Sequence, residues 1–238
     1  MKPVRALFFD LDGTLLDGSG FGEAVARTCS RIAATRPGLS AERLLAANNT
    51  VWESYWPEVE QEWTLGVLDG TTVSLEAWRR TLLACGSDDE GLARLALDTL
   101  SVQARGANRL FDDVQEILDR LVGRLPLALI TNGAADTQRE KLRALGIEDH
   151  FDAIIVSGEH GVAKPDPAIF QIALDNLGVG PARAWHVGDS LEADIAGARD
   201  AGLTAVWLNR NGAARSPEHP EPHVEIRSLT ELLEYIEP

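Results

Sequence analysis

Two carboxylates, Asp10 and Asp12, stand two residues apart directly behind the apolar run Ala6-Leu7-Phe8-Phe9, and Gly13-Thr14 follows them. A short apolar run closed by a turn signal reads as a buried strand. Alternation along it would put both acids on one side, while Gly13 marks a chain that is already turning. The pair therefore stands at the C-terminal end of a strand, the edge at which open α/β sheets bind ligands. Buried paired acids are costly unless something cationic lies between them, so the pattern points to metal-assisted chemistry.

Three more apolar runs end in polar groups of a matching kind. Leu127–Ile130 leads into Thr131-Asn132-Gly133 and then a helical pattern, which offers a hydroxyl and backbone N–H groups at a helix N-terminus, an anion site. Ala153–Val156 and a loop lead to Lys164-Pro165, and Ala184–Val187 leads to Gly188-Asp189-Ser190 with Asp194 beyond. Only three of the 22 basic residues are lysine (Lys2, Lys141 and Lys164), so the placement of Lys164 carries weight. In a parallel sheet these ends converge on one edge. Oxygen ligands with water suit Mg²⁺, a carboxylate can form an aspartyl phosphate, and metal plus lysine neutralise a phosphoryl group. A second carboxylate two residues on can protonate a leaving alkoxide and then activate water.

The elements that must hold these groups alternate. Val4–Phe9, Leu127–Ile130, Ala153–Val156, Ala184–Val187, Thr204–Leu208 and, more weakly, Val224–Ile226 read as strands. Between and after them Asp112–Val122, Ala134–Leu145, Pro167–Leu177, Leu191–Ala201 and Leu229–Ile236 read as helices. This order predicts an α/β fold with a Rossmann-like, doubly wound parallel sheet. One stretch breaks the alternation: Phe21–Thr35, Ser40–Tyr55, Ser74–Leu83 and Asp88–Gln103 all read as helical. We therefore expect a catalytic core of residues 1–17 and 104–238 and an inserted, all-helical cap of residues 18–103, entered through the glycines at 18, 20 and 22.

Four motifs in order, Asp10-x-Asp12-Gly13-Thr14, Thr131-Asn132-Gly133, Lys164-Pro165 and Gly188-Asp189-Ser190 with Asp194, give a chain that resembles the haloacid dehalogenase-like superfamily, in its phosphatase branch with a helical cap after the first strand. The resemblance spans nearly the whole chain. It implies an Mg²⁺-dependent phosphatase acting on a small phosphomonoester, such as a nucleoside monophosphate or sugar phosphate. Asp10 would be nucleophile and metal ligand. Asp12 would be general acid/base and bind metal through its backbone carbonyl. Thr131 and Lys164 would hold the phosphoryl group, with Asn132 and Gly133 beside it. Asp189 would complete the metal site, and Asp194 would orient Lys164 or a metal-bound water. Dehalogenase members usually lack an acid at the position of Asp12, because halide leaves without a proton. A phosphomutase, a 2-haloacid dehalogenase and a catalytically silent regulatory protein on this scaffold are the alternatives.

The segment 18–103 contains neither lysine nor histidine, so any cation it offers a substrate is an arginine, and Arg79-Arg80 are the candidates. Trp52 and Trp56 share a helix face and could stack on a ring, although such a stripe more often forms core. Among the histidines, His186 reads as structural. A net charge of −15 disfavours nucleic acid as a partner. No apolar stretch approaches the roughly 20 residues of a membrane span, and the N-terminus shows no signal peptide. Cys29 and Cys85 share no motif and read as reduced thiols, so a cytoplasmic enzyme with a small phosphorylated metabolite as partner is expected. The oligomeric state is not legible.

Overall fold

The computed structural model describes residues 3–236. Its centre is a six-stranded sheet in which every neighbouring pair runs parallel. The strands are β1 (Ala6–Phe9), β4 (Leu127–Thr131), β5 (Ala153–Val156), β6 (Ala184–Gly188), β7 (Thr204–Leu208) and β8 (Val224–Ile226), in the order β5-β4-β1-β6-β7-β8. Strand β1 lies between β4 and β6, with Phe9 opposite Leu129 on one side and Val187 on the other. The winding direction reverses there, which opens a crevice at the C-terminal ends of these three strands.

Alternation along the strands divides the core between the two faces of the sheet. Leu7 and Phe9 join Leu129, Val187 and Val206 under the helix α5 (Val114–Leu121). Ala6 and Phe8 join Ala128, Ile130 and Ala205 under α8 (Pro167–Leu177). Helix α6 (Ala135–Leu145) follows β4 and ends at Gly146, whose φ of 68° is the left-handed geometry a helix stop requires. The stretch expected as one helix from Leu191 opens as a wide π turn (Leu191–Ala196) and continues as α9 (Gly197–Asp200). A four-residue turn, α7 (Ser157–His160), follows β5, and α10 (Leu233–Ile236) ends the described chain.

Between β1 and β4 stand four helices: α1 (Phe21–Thr35), α2 (Ala41–Thr64), α3 (Gly70–Ala84) and α4 (Glu90–Ala107). They share an apolar centre of Ala24, Cys29, Ile32, Leu44, Trp78, Leu82 and Ala96. Two details differ from the sequence reading. A short antiparallel ribbon, β2 (Leu16–Asp17) with β3 (Arg109–Leu110), ties the start of the helical segment to its end, and Asp17 pairs with Arg109 at 2.7 Å. Helix α2 also does not stop at Tyr55 but runs on through Pro57 to Thr64. Pro57 and Glu53, the residue whose carbonyl it cannot serve, are both exposed.

Candidate active site

The crevice at the sheet edge holds a buried charge cluster. Lys164, 5% exposed, arrives after β5 and points its Nζ between two carboxylates, 2.5 Å from Asp10 Oδ1 and 2.6 Å from Asp194 Oδ1. Asp10 follows β1 directly. Asp194 sits in the π turn after β6, where its Oδ2 accepts the Ser190 N–H at 3.0 Å and its Oδ1 meets His186 Nε2 at 2.9 Å. The fit is close: a Cβ on Gly188 would lie 2.2 Å from the Asp194 carboxyl carbon. Asp189 completes the group, since one oxygen each of Asp10, Asp189 and Asp194 lie within 4.8 Å of one another.

Three carboxylates share one ammonium, and the imbalance shows in their protonation. Burial opposes charge on Asp194, but Lys164 and His186 overcome it and hold the carboxyl far below its usual range. Burial likewise opposes charge on Lys164, and its two carboxylate partners hold it firmly protonated. The deficit of positive charge falls on Asp10 and Asp189, whose ionised forms are disfavoured. Burial, with Asp194 adding, pushes Asp10 up to about 8 against the pull of Lys164, and pushes Asp189 up to about 6. A further cation beside Asp10 and Asp189 would balance the cluster. The donors are all oxygen, which suits a hard divalent ion. Gly13 leaves the room: a Cβ there would sit 2.3 Å from Asp189 Oδ2. The residues therefore fit a magnesium-type site.

The loop after β4 forms the opposite wall. Thr131 is the last residue of the strand rather than the first beyond it, and its hydroxyl accepts a bond from the buried Gln138 amide. Asn132 spends its side chain on the Lys164 backbone, accepting from Lys164 N and donating to Lys164 O, each at 2.9 Å. Its main-chain N–H is the group left for a ligand. Gly133, the next residue, donates its N–H to Ser157 Oγ at 2.8 Å. Its φ of 140° and the Trp63 indole packed against it both require glycine, because a Cβ would lie 2.4 Å from Trp63 Cη2.

The Asp12 side chain turns away from the three-carboxylate cluster toward α6. Lys141 Nζ lies 2.7 and 2.8 Å from its two oxygens, and Gln138 Nε2 donates to Oδ2 at 2.9 Å. Sequence reasoning missed both partners. Their i, i+3 spacing on a helix that starts at a proposed anion site was a usable signal, and the scarcity of lysine that singled out Lys164 applies equally to Lys141.

Arg79 and Arg80 do not reach this centre. Arg79 pairs with Glu76 at 2.9 Å. Arg80 pairs with Glu76 at 2.9 Å and Glu58 at 3.1 Å and lies 4.0 Å over the Tyr55 ring. Both guanidinium groups are thus paired with acids of the helical segment, and neither lines the cavity between that segment and the core. A cavity of about 480 Å³ does separate the helices from the core, lined by Asp12, Lys141, Asn48, Trp52, Trp56 and Trp63 among others. Direct bonds close the two layers around it: Asp136 of α6 accepts the Gly70 and Thr71 N–H groups at 2.8 and 3.0 Å, and Ser157 donates to Thr64 O at 2.6 Å.

Comparison with known proteins agrees with this geometry. Residues 4–202 match the family model described as haloacid dehalogenase-like hydrolase. The N-acylneuraminate-9-phosphatase of Rattus norvegicus is 34% identical, over 98% of this chain and 93% of the relative. The pyrimidine 5'-nucleotidase YjjG of Escherichia coli is 30% identical over 95% of both chains. Among solved structures, Bacillus subtilis YfnB bound to magnesium, described as revealing interdomain movement, superposes with a TM-score of 0.73 at 27% identity over the full length of both chains.

Proposed function

This chain belongs to the haloacid dehalogenase-like hydrolases, and from that premise we propose that it is a magnesium-dependent phosphatase that hydrolyses a small-molecule phosphomonoester through an aspartyl phosphate on Asp10. The observation that carries the reading is the meeting of buried Asp10, Lys164 and Asp194 with the exposed Asp189 at one sheet edge, with an excess of negative charge. Mg²⁺ would be held by the carboxylates of Asp10 and Asp189 and the backbone carbonyl of Asp12, and would supply electrophilic charge beside the phosphoryl oxygens.

The chain's own residues do the rest. Lys164, the Thr131 hydroxyl and the Asn132 N–H hold the phosphoryl group. A carboxylate oxygen of Asp10 attacks phosphorus, the bond to the alcohol oxygen breaks, and Asp12 gives that oxygen its proton. Asp12 then takes a proton from water, the water attacks phosphorus, and phosphate leaves with Asp10 restored. Asp194 is a positioning residue: it holds Lys164 from behind and is itself held by His186 and the Ser190 N–H. Asp12 favours phosphoryl over halide chemistry, because only an alkoxide needs its proton. The helical segment 18–103 acts as a cap that excludes bulk water when closed. No helix among the described residues is long and apolar enough to cross a membrane. We place the enzyme in the cytoplasm, a reading supported by its two free thiols, Cys29 and Cys85.

The test is Asp10→Asn assayed for phosphate release with Mg²⁺ across a panel of phosphorylated metabolites. Loss of turnover with an unchanged circular dichroism spectrum is expected. Near-normal turnover would remove Asp10 as the nucleophile.

A further inference from the structure

Gln138, one turn into α6, is fully buried, and its amide nitrogen is surrounded by oxygen. Nε2 donates to Thr131 Oγ1, to Asp12 Oδ2 at 2.9 Å and toward the Asn132 carbonyl oxygen at 3.1 Å. Among the described residues it is the one side chain bonded to both Thr131 and Asp12. The other end of the amide fares differently, because Oε1 is buried and has no partner. Such a group is a poor choice for filling space, since an apolar side chain of the same length would leave nothing unsatisfied at that end. What the amide contributes lies on its nitrogen side.

The neighbours fix which way the amide faces. The Asp12 carboxylate, gripped by Lys141, and the Asn132 carbonyl can only accept, so nitrogen faces them and oxygen faces away. Thr131 Oγ1 lies on the nitrogen side and is thereby made an acceptor, although a hydroxyl is free to play either part. Its own proton stays unspent, and no acceptor among the described residues takes it. Nε2 has two hydrogens for three oxygens, and the Asn132 carbonyl, the farthest, is the one left over. The two N–H groups thus run to a hydroxyl that donates to the phosphoryl group and to a carboxyl that handles the proton of the alcohol. Lys141 binds the same carboxylate from further along α6 but does not touch Thr131. The Asp12 side chain is 46% exposed, so these bonds rather than packing set where it stands.

Resting on the phosphatase reading, we propose that Gln138 is a positioning residue for the reaction: one N–H turns the Thr131 hydroxyl so that its proton meets the phosphoryl group, and the other holds Asp12 where it serves the alcohol oxygen. It acts through these two groups. The role depends on donor polarity, and glutamate, the same shape with oxygen in place of Nε2, reverses it. The Thr131 proton then turns back to the new carboxylate, away from the phosphoryl oxygens.

The experiment compares two kinds of leaving group, with Mg²⁺ present. Acetyl phosphate releases acetate, which needs no proton, whereas an alkyl phosphomonoester releases an alkoxide that does. The alkyl ester is the one that wild type turns over fastest in the panel of phosphorylated metabolites. Gln138→Met keeps the length and removes both bonds. It should lower kcat/KM about tenfold for acetyl phosphate, through Thr131, and about a hundredfold for the alkyl ester, through Thr131 and Asp12 together. The ratio between the two substrates then shifts about tenfold, which a loss of folded enzyme cannot cause. Gln138→Glu should lose more than Gln138→Met on both. Equal losses on the two substrates, or unchanged kcat/KM in both variants, would overturn the proposal and leave the phosphatase standing. Calorimetric binding of inorganic phosphate separates the two levels from the other side, and Gln138→Glu should weaken it about tenfold or more. That weakening, in a protein that turns over neither substrate, would sink the phosphatase and keep Gln138 as the residue that turns Thr131 toward a phosphate. Phosphate binding that neither variant changes would overturn the role of Gln138 whatever the turnover.

Discussion

Replacing Lys164 by methionine isolates the charge accounting at the sheet edge. The substitution keeps length and removes an ammonium that serves two carboxylates at 2.5 and 2.6 Å, with all three side chains under 10% exposed. Removing one partner of a buried pair costs about 3–5 kcal/mol, because the other charge stays behind. Here Asp194 keeps His186 and the Ser190 N–H, and Asp10, already pushed up to about 8, escapes its charge by taking a proton. Both effects place the loss near the lower end, about 3 kcal/mol at neutral pH. Urea unfolding of Lys164→Met and wild type in excess chelator reads it directly. Added Mg²⁺ should narrow the gap by stabilising the variant as ligand binding does, while phosphatase turnover stays lost. A loss below about 1 kcal/mol in chelator would mean that the carboxylates do not depend on Lys164, and the argument for an uncompensated cluster would fail.

Asp113, outside the carboxylate cluster, predicts a pH effect of its own. Burial raises its carboxyl, but bonds from Arg210, the Leu229 N–H and Ser228 outweigh this and hold it below its ordinary value of 3.8. Its contribution is therefore present above pH 3.8 and lost as pH falls through the lowered value. Asp113→Asn should flatten the acid limb of the stability–pH curve and lower neutral stability by about 1–2 kcal/mol, as followed by thermal melts. Pro57→Ala should stabilise the chain by about 1 kcal/mol or more, since it restores a helical bond inside α2; a lower melting temperature would contradict that accounting. Arg79→Ala should leave kcat/KM within about twofold, because that side chain forms an exposed surface pair worth little; a tenfold rise in KM would return it to the substrate site.

Much of this arrangement was legible because it depends on period and punctuation. Buried parallel strands read as continuous apolar runs, so Ala6–Phe9 and Ala184–Val187 were visible, and the residues closing each run had to meet at one edge. That logic brought Asp10, Lys164, Asp189 and Asp194 into one cluster. It could not resolve which way each side chain points. Asp12 turns to Gln138 and Lys141, and the Gly133 N–H turns to Ser157, because these choices are made by packing across more than 20 residues of sequence. The ribbon of β2 with β3 has two residues per strand, too few to show alternation. Arg79 and Arg80 were chosen for charge alone, and charge alone does not reveal that Glu58 and Glu76 have already engaged them.

The central claim is covalent chemistry at Asp10, and a rapid acid quench tests it most directly. Wild-type enzyme with Mg²⁺ is mixed with a ³²P-labelled phosphomonoester that it turns over, stopped within one turnover, digested and mapped. Label on the peptide containing Asp10, sensitive to hydroxylamine and absent from Asp10→Asn, is the predicted result. Phosphate release without any labelled Asp10 peptide, accompanied by full turnover in Asp10→Asn, would contradict it.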